Sequence, residues 1–113
     1  MTTVEAVRDV ALSLPRSYEA WVRDRLKVRV GRIVYLAFSR DETLLGFAFP
    51  KEERESLVAA EPEKFLMPKP ADLRYNCAVV RLEAIDDAEM WELVTEAWRM
   101  VVPKRVAAAH LGV

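Results

Sequence analysis

The chain has one cysteine, one histidine and three glycines among 113 residues. Cys77 alone excludes an internal disulfide and any multi-cysteine zinc site. With His110 as the single histidine, neither H-x-x-x-H nor C-x-x-C spacing exists, so no metal site is expected. Gly31, Gly46 and Gly112 stand isolated, and no glycine loop is available to cradle a nucleotide phosphate. Long apolar runs are missing too. The most apolar stretches, Ile33–Phe38 and Leu44–Phe49, fall far short of the roughly 20 residues that cross a bilayer, so no membrane partner is expected. The first apolar segment carries Glu5, Arg8 and Asp9 and has no signal-peptide h-region. Nor does one sign of charge dominate. The 17 Lys+Arg against 18 Asp+Glu give a net charge of −1, which excludes a uniformly basic nucleic-acid-coating protein. A hydrophobic fraction of 52% excludes an acidic disordered tail. The expectation is one cytoplasmic domain over residues 1–113, because single cores run to about 100–150 residues.

The neutral total conceals segregated blocks. Residues 16–40 hold seven basic side chains (Arg16, Arg23, Arg25, Lys27, Arg29, Arg32, Arg40) against Glu19 and Asp24, a net of +5. Residues 41–63 reverse this to −5, and residues 83–98 reach −6.

Local signals set the elements. Thr2-Thr3-Val4-Glu5 reads as an S/T-x-x-E capping box, and Val4, Val7, Ala11 and Leu14 recur at helical spacing up to Pro15. A helix over residues 3–14 follows. Tyr18–Trp21 reads as an edge strand or an irregular lead-in. From Val22 to Val30 the period is two, with Val22, Leu26, Val28 and Val30 on one face and Arg23, Arg25, Lys27 and Arg29 on the other. A Gly31-Arg32 turn leads to a strand over Ile33–Ser39, and Arg40-Asp41-Glu42 to another over Thr43–Phe49. These two strands are apolar at nearly every position, which predicts cover on both faces by a helix, a partner chain or a ligand. Pro50 and the glutamates after it open a second helix reaching about Ala60. Residues 62–75 read as a loop with an extended piece at Phe65–Met67, and Asn76–Leu82 as a strand. Asp86 opens the strongest helix, with Met90, Leu93, Val94, Ala97, Trp98 and Val101 on one stripe. Pro103 starts a short last helix. The order α-β-β-β-α-β-α-α predicts an α+β fold: two layers, an antiparallel sheet with helices packed against it.

Several segments together resemble the MmcQ/YjbR family of small bacterial proteins. They are Ala11-Leu12-Ser13-Leu14-Pro15, Leu26-Lys27-Val28-Arg29-Val30-Gly31, Pro50-Lys51-Glu52-Glu53-Arg54 and Glu61-Pro62-Glu63-Lys64-Phe65. The C-terminal part adds Val80-Arg81-Leu82, Glu96-Ala97-Trp98-Arg99, Pro103-Lys104-Arg105 and Ala108-Ala109-His110. The resemblance implies a two-layer fold like that of secretion chaperones. It also implies DNA binding, by a "double-wing" structural analogy, and no catalytic residue, metal or cofactor. Members often carry a Trp-Gly-Lys-Pro-like piece before the second strand, where this chain has Trp21-Val22-Arg23-Asp24-Arg25.

Two residue sets are candidate sites. The row Arg23, Arg25, Lys27 and Arg29, extended by Arg32, has the clustered cations that phosphate binding requires, and DNA is the partner it points to. The same row also fits a solvated sheet face, an edge guarded by charge, or internal pairing with Glu52, Glu53 and Glu55 or with Glu89, Glu92 and Glu96. Phe47, Phe49 and Trp91 form the second set, an apolar surface for a homodimer or protein partner. A small-molecule pocket between the sheet and the third helix is a further alternative. Cys77 and His110 invite a nucleophile–base pairing, yet a mid-strand cysteine among alanine and valines is normally inert. The expectation is a binding protein, not an enzyme.

Overall fold

The computed structural model describes residues 1–112. Helix α1 spans Val4–Ser13, and Thr3 caps it by accepting the Ala6 N–H at 3.1 Å. The expected box beginning at Thr2 does not form. Thr2 is buried, its hydroxyl donating to Asp87 Oδ1 at 2.8 Å and its N–H to the Leu82 carbonyl at 3.2 Å. A buried hydroxyl needs a partner, and the carboxylate at the start of a later helix supplies it.

Six strands form one antiparallel sheet: β1 (Ser17–Val22), β2 (Arg25–Val30), β3 (Ile33–Phe38), β4 (Leu44–Ala48), β5 (Phe65–Leu66) and β6 (Cys77–Arg81). Their order across the sheet is β1-β2-β3-β4-β6-β5. Helices α2 (Arg54–Ala60), α3 (Asp87–Arg99) and α4 (Lys104–Leu111) complete the chain with two short 3-10 turns. This is the expected α+β architecture with two strands more than the sequence order names. One of them is β1, which takes the edge-strand reading of Tyr18–Trp21 and adds a residue at each end. Arg23 and Asp24 take φ of 52° and 65°, the paired left-handed conformation of a type I′ hairpin, so the expected Val22–Val30 strand begins only at Arg25.

Alternation along the strands sends Leu26, Val28, Leu36, Phe38, Leu45, Phe47 and Val80 toward the helices, where Val7, Ala11, Met90, Val94 and Trp98 complete the core. Between β2 and β3, Val28 faces Leu36 and Arg29 faces Val34, leaving Tyr35 as the extra residue of a bulge. Tyr35 and Leu36 both turn into the core as a result, and the Tyr35 phenol meets Ser17 Oγ at 2.7 Å. Trp98 is fully buried and donates its indole N–H to the Pro15 carbonyl at 2.8 Å, fastening α3 to the α1–β1 junction.

Among the described residues, helices pack on that side of the sheet only. On the other side Val34, Ala37, Leu44, Gly46, Ala48 and Val79 all keep partial exposure. The second cover expected over β3 and β4 is therefore not supplied by any helix among the described residues.

Candidate functional site

The open face of the sheet carries the basic row. Alternation in β2 buries Leu26, Val28 and Val30 and turns Arg25, Lys27 and Arg29 outward. Each is about 6.8 Å from the next, so the row spans about 14 Å. Their neighbours across the strands are Val22, Ala20 and Tyr18 on β1, with Ala37 beside Lys27 and Val34 beside Arg29 on β3. None of these is acidic. Among the described residues the row forms no ion pair. The bridges that exist are Arg8–Glu19, Lys64–Glu61, Lys64–Glu89 and Arg99–Glu96, so the pairing weighed with the glutamates of α2 and α3 is not made.

The three side chains are half-buried. Arg25 Nε donates to the Phe38 carbonyl at 3.1 Å. Arg29 Nε is buried without a hydrogen-bond partner among the described residues. Arg23 leaves the expected row of four, while Arg32 lies in the turn where it was expected. Arg23 belongs to the β1–β2 turn, and Arg32 to the β2–β3 turn, where Gly31 at φ 60° takes the first central position of a type II′ turn. Both are exposed, one at each end of β2, so they extend the positive potential lengthwise without sharing the strand face.

Tyr18, which sequence reasoning missed, joins the row. Pairing with Arg29 places it on the open face, 43% exposed, with its hydroxyl donating to the Gly31 carbonyl. Only strand register reveals this neighbour, since eleven residues separate the two along the chain. Arg81 on β6, opposite Leu44, adds a fourth cation to the same face.

The apolar set does not hold together as a surface. Phe47 is buried, its ring packed edge-on to Phe49 at 5.9 Å and tilted against Phe65 at 6.2 Å. Phe49 is half-buried on the wall of a cleft of about 470 Å³ between β4, α2 and α3. Trp91 is exposed on α3 and does not line that cleft. Glutamates rim it: Glu53 and Glu61 beside α2, and Glu89, Glu92 and Glu96 on α3. Lys64 bridges the two banks, its ammonium 2.9 Å from Glu61 and 3.1 Å from Glu89, and these carboxylates hold its pKa well above the usual lysine value.

Cys77 and His110 are not brought into one site. Burial pushes the Cys77 thiol up, against the opposing effect of Arg54, and its S–H points to the Asp72 carbonyl. His110 instead sets its ring edge-on to Trp98 at 5.4 Å. No cluster of three or more His, Cys, Asp or Glu suited to a metal occurs among the described residues. No helix among them is long and apolar enough to cross a membrane.

Comparison with known proteins bears on this fold. A family model described as YjbR matches residues 12–100. A crystal structure of the Deinococcus radiodurans protein DR2400, described by the domain DUF419, superposes with a TM-score of 0.78 at 22% identity, covering 100% of this chain and 90% of that one. At that identity the likeness concerns the fold. No curated protein matches the chain significantly.

Proposed function

The chain belongs to the YjbR family, and from that premise we propose that it is a non-enzymatic binding protein that holds a nucleic-acid backbone on the open basic face of its sheet. The observation that carries the reading is the outward row Arg25, Lys27 and Arg29, which faces water without a carboxylate partner among the described residues. Guanidinium and ammonium groups match phosphate oxygens, and each phosphate they neutralise releases a counterion. Arg23 and Arg32 lengthen the track at the two turns. Contacts of this kind fix position and carry no base information, so binding is expected without sequence preference. Tyr18 beside Arg29 offers a ring on which an unpaired base stacks, which favours a single strand over a duplex. A cytoplasmic setting goes with this reading.

Fluorescence anisotropy with labelled single-stranded and duplex DNA tests it. Three phosphate contacts predict that affinity falls roughly 20- to 40-fold between about 50 and 200 mM salt. Arg25→Ala combined with Arg29→Ala is expected to remove about two-thirds of that salt slope. Absence of binding at low salt, or a slope unchanged by the double substitution, sinks the proposal.

A further inference from the structure

A hollow of about 500 Å³ opens where α1 passes into β1 beneath α4, lined by Pro15, Arg16, Arg105, Val106, Ala109 and His110. Its apolar wall comes from Pro15, Val106 and Ala109. Its remaining lining residues are Arg16, Arg105 and His110, with no Asp or Glu among the described lining. Arg16, Arg105 and His110 are all exposed, and none engages another side chain in an ion pair among the described residues. Three basic residues from segments some ninety residues apart thus border one concavity, with no ion-pair partner among the described residues.

The hollow is built on rigid parts. Trp98, fully buried, holds Pro15 through the 2.8 Å indole hydrogen bond and meets the His110 ring at 5.4 Å. Arg16 sits at φ 68°, a left-handed conformation that residues other than glycine seldom adopt. Its neighbours impose that conformation. Pro15 is tied to Trp98, and Ser17 donates its N–H to the Leu14 carbonyl at 3.3 Å while its hydroxyl meets Tyr35. Backbone strain of this kind persists only where the surroundings over-determine it, and here it fixes the place from which an arginine enters the hollow.

We propose that this hollow binds a small organic anion, a carboxylate or phosphate group carried on an apolar body. Arg16 and Arg105 take the oxyanion, His110 supplies a third donor, and the apolar part rests on Pro15, Val106 and Ala109. Paired guanidiniums recognise planar and tetrahedral oxyanions through parallel N–H bonds. The volume falls within the range of about 300–1,000 Å³ usual for small-molecule sites. This inference does not rest on nucleic-acid binding by the sheet, because no residue of the β2 row lines the hollow.

Titration with phenyl phosphate, phenylacetate and benzyl alcohol, followed by NMR, tests it. The His110 ring reports directly as part of the lining, and the Trp98 indole N–H reports through its hydrogen bond to the lining residue Pro15. Saturable shifts of these signals with phenyl phosphate or phenylacetate, and none with benzyl alcohol, are expected; the tighter of the two anions names the oxyanion. Arg105→Gln alters an exposed side chain, and Arg16→Gly suits the left-handed backbone, so both variants keep the fold. Each is expected to weaken the anion about tenfold or more, whereas Arg25→Ala leaves it unchanged. Equal shifts with benzyl alcohol overturn the proposal. So do shifts centred on Arg25–Arg29, affinity undiminished in both variants, or no saturable shift at millimolar anion.

Discussion

The two sides of the sheet use charge in opposite ways. On the open side Arg25, Lys27 and Arg29 stand over small apolar residues with no carboxylate across the strands. On the helix side the glutamates of α2 and α3 crowd the rim of an apolar cleft, and some are tied by Lys64 and Arg99. The molecule is nearly neutral and strongly polarised at once. A polyanion meets attraction over the β2 row and repulsion at the cleft rim, so the distribution orients approach where the net charge of −1 says nothing. Cations on the two sides differ in kind as well. Arg54, the first residue of α2, is 5% exposed and donates to the carbonyls of Leu73, Tyr75 and Cys77 at 2.8, 3.1 and 2.9 Å. It is a structural pin, whereas the β2 cations make no ion pair among the described residues and a single side-chain hydrogen bond, from Arg25 Nε to the Phe38 carbonyl.

That contrast is tested most severely at Arg54. Arg54→Met strands three carbonyls and is expected to cost about 3 kcal/mol, a fall of roughly 10–20 °C in Tm. Lys27→Met should stay within about 0.5 kcal/mol. Similar losses by thermal melting would break the distinction between pinned and free cations. Next in size is charge reversal. Lys27→Glu is expected to lower DNA affinity roughly tenfold by anisotropy. Glu92→Lys, on the other side, should change it by no more than about twofold, since charges beyond about 8 Å are screened at physiological salt.

A smaller effect belongs to the bridge across the cleft. Lys64→Met is expected to lower the denaturant midpoint only slightly, because partly exposed pairs are screened, and the loss should shrink in high salt. The smallest concerns the β3–β4 turn. Asp41 accepts hydrogen bonds from Ser39 Oγ at 2.7 Å, Thr43 Oγ1 at 2.8 Å and Thr43 N at 3.1 Å, and these bonds lower its pKa. A lowered folded pKa means the contribution is complete above the unfolded value of about 3.9 and disappears as pH falls through the folded one. The Tm gap between wild type and Asp41→Asn should therefore be constant near neutrality and close on acidification. A gap that widens in acid contradicts the assignment.

The elements that followed from sequence did so because their signals are local. The α3 stripe is buried at Met90, Val94, Ala97 and Trp98, and Asp86 caps the helix by accepting the Glu89 N–H at 2.8 Å. Alternation in β2 put the right three cations outward. Arg23 was placed with them because arginine is an unusual residue for a left-handed turn position. A clue was present: Asp24 interrupts the apolar face between Val22 and Leu26, and a carboxylate there marks a break in the strand. Nothing in the chain order announces Tyr18 beside Arg29, Arg54 beneath the loop after β5, or Arg16 across from Arg105. Each depends on contacts between segments far apart in sequence.

By itself the sequence determined the period of each segment, and with it which residues share a strand face or a helix stripe, because backbone geometry sets that spacing within a few residues. It also determined that cations and carboxylates would gather in separate blocks. Only the tertiary structure decided that the β2 row faces water rather than glutamate, and that the glutamates border a cleft on the other side. The same holds for Arg16, Arg105 and His110 meeting around one hollow. Alternation divides a strand into two faces, but which face is covered depends on where the helices find apolar surface to bury, and that is settled only when the whole chain packs.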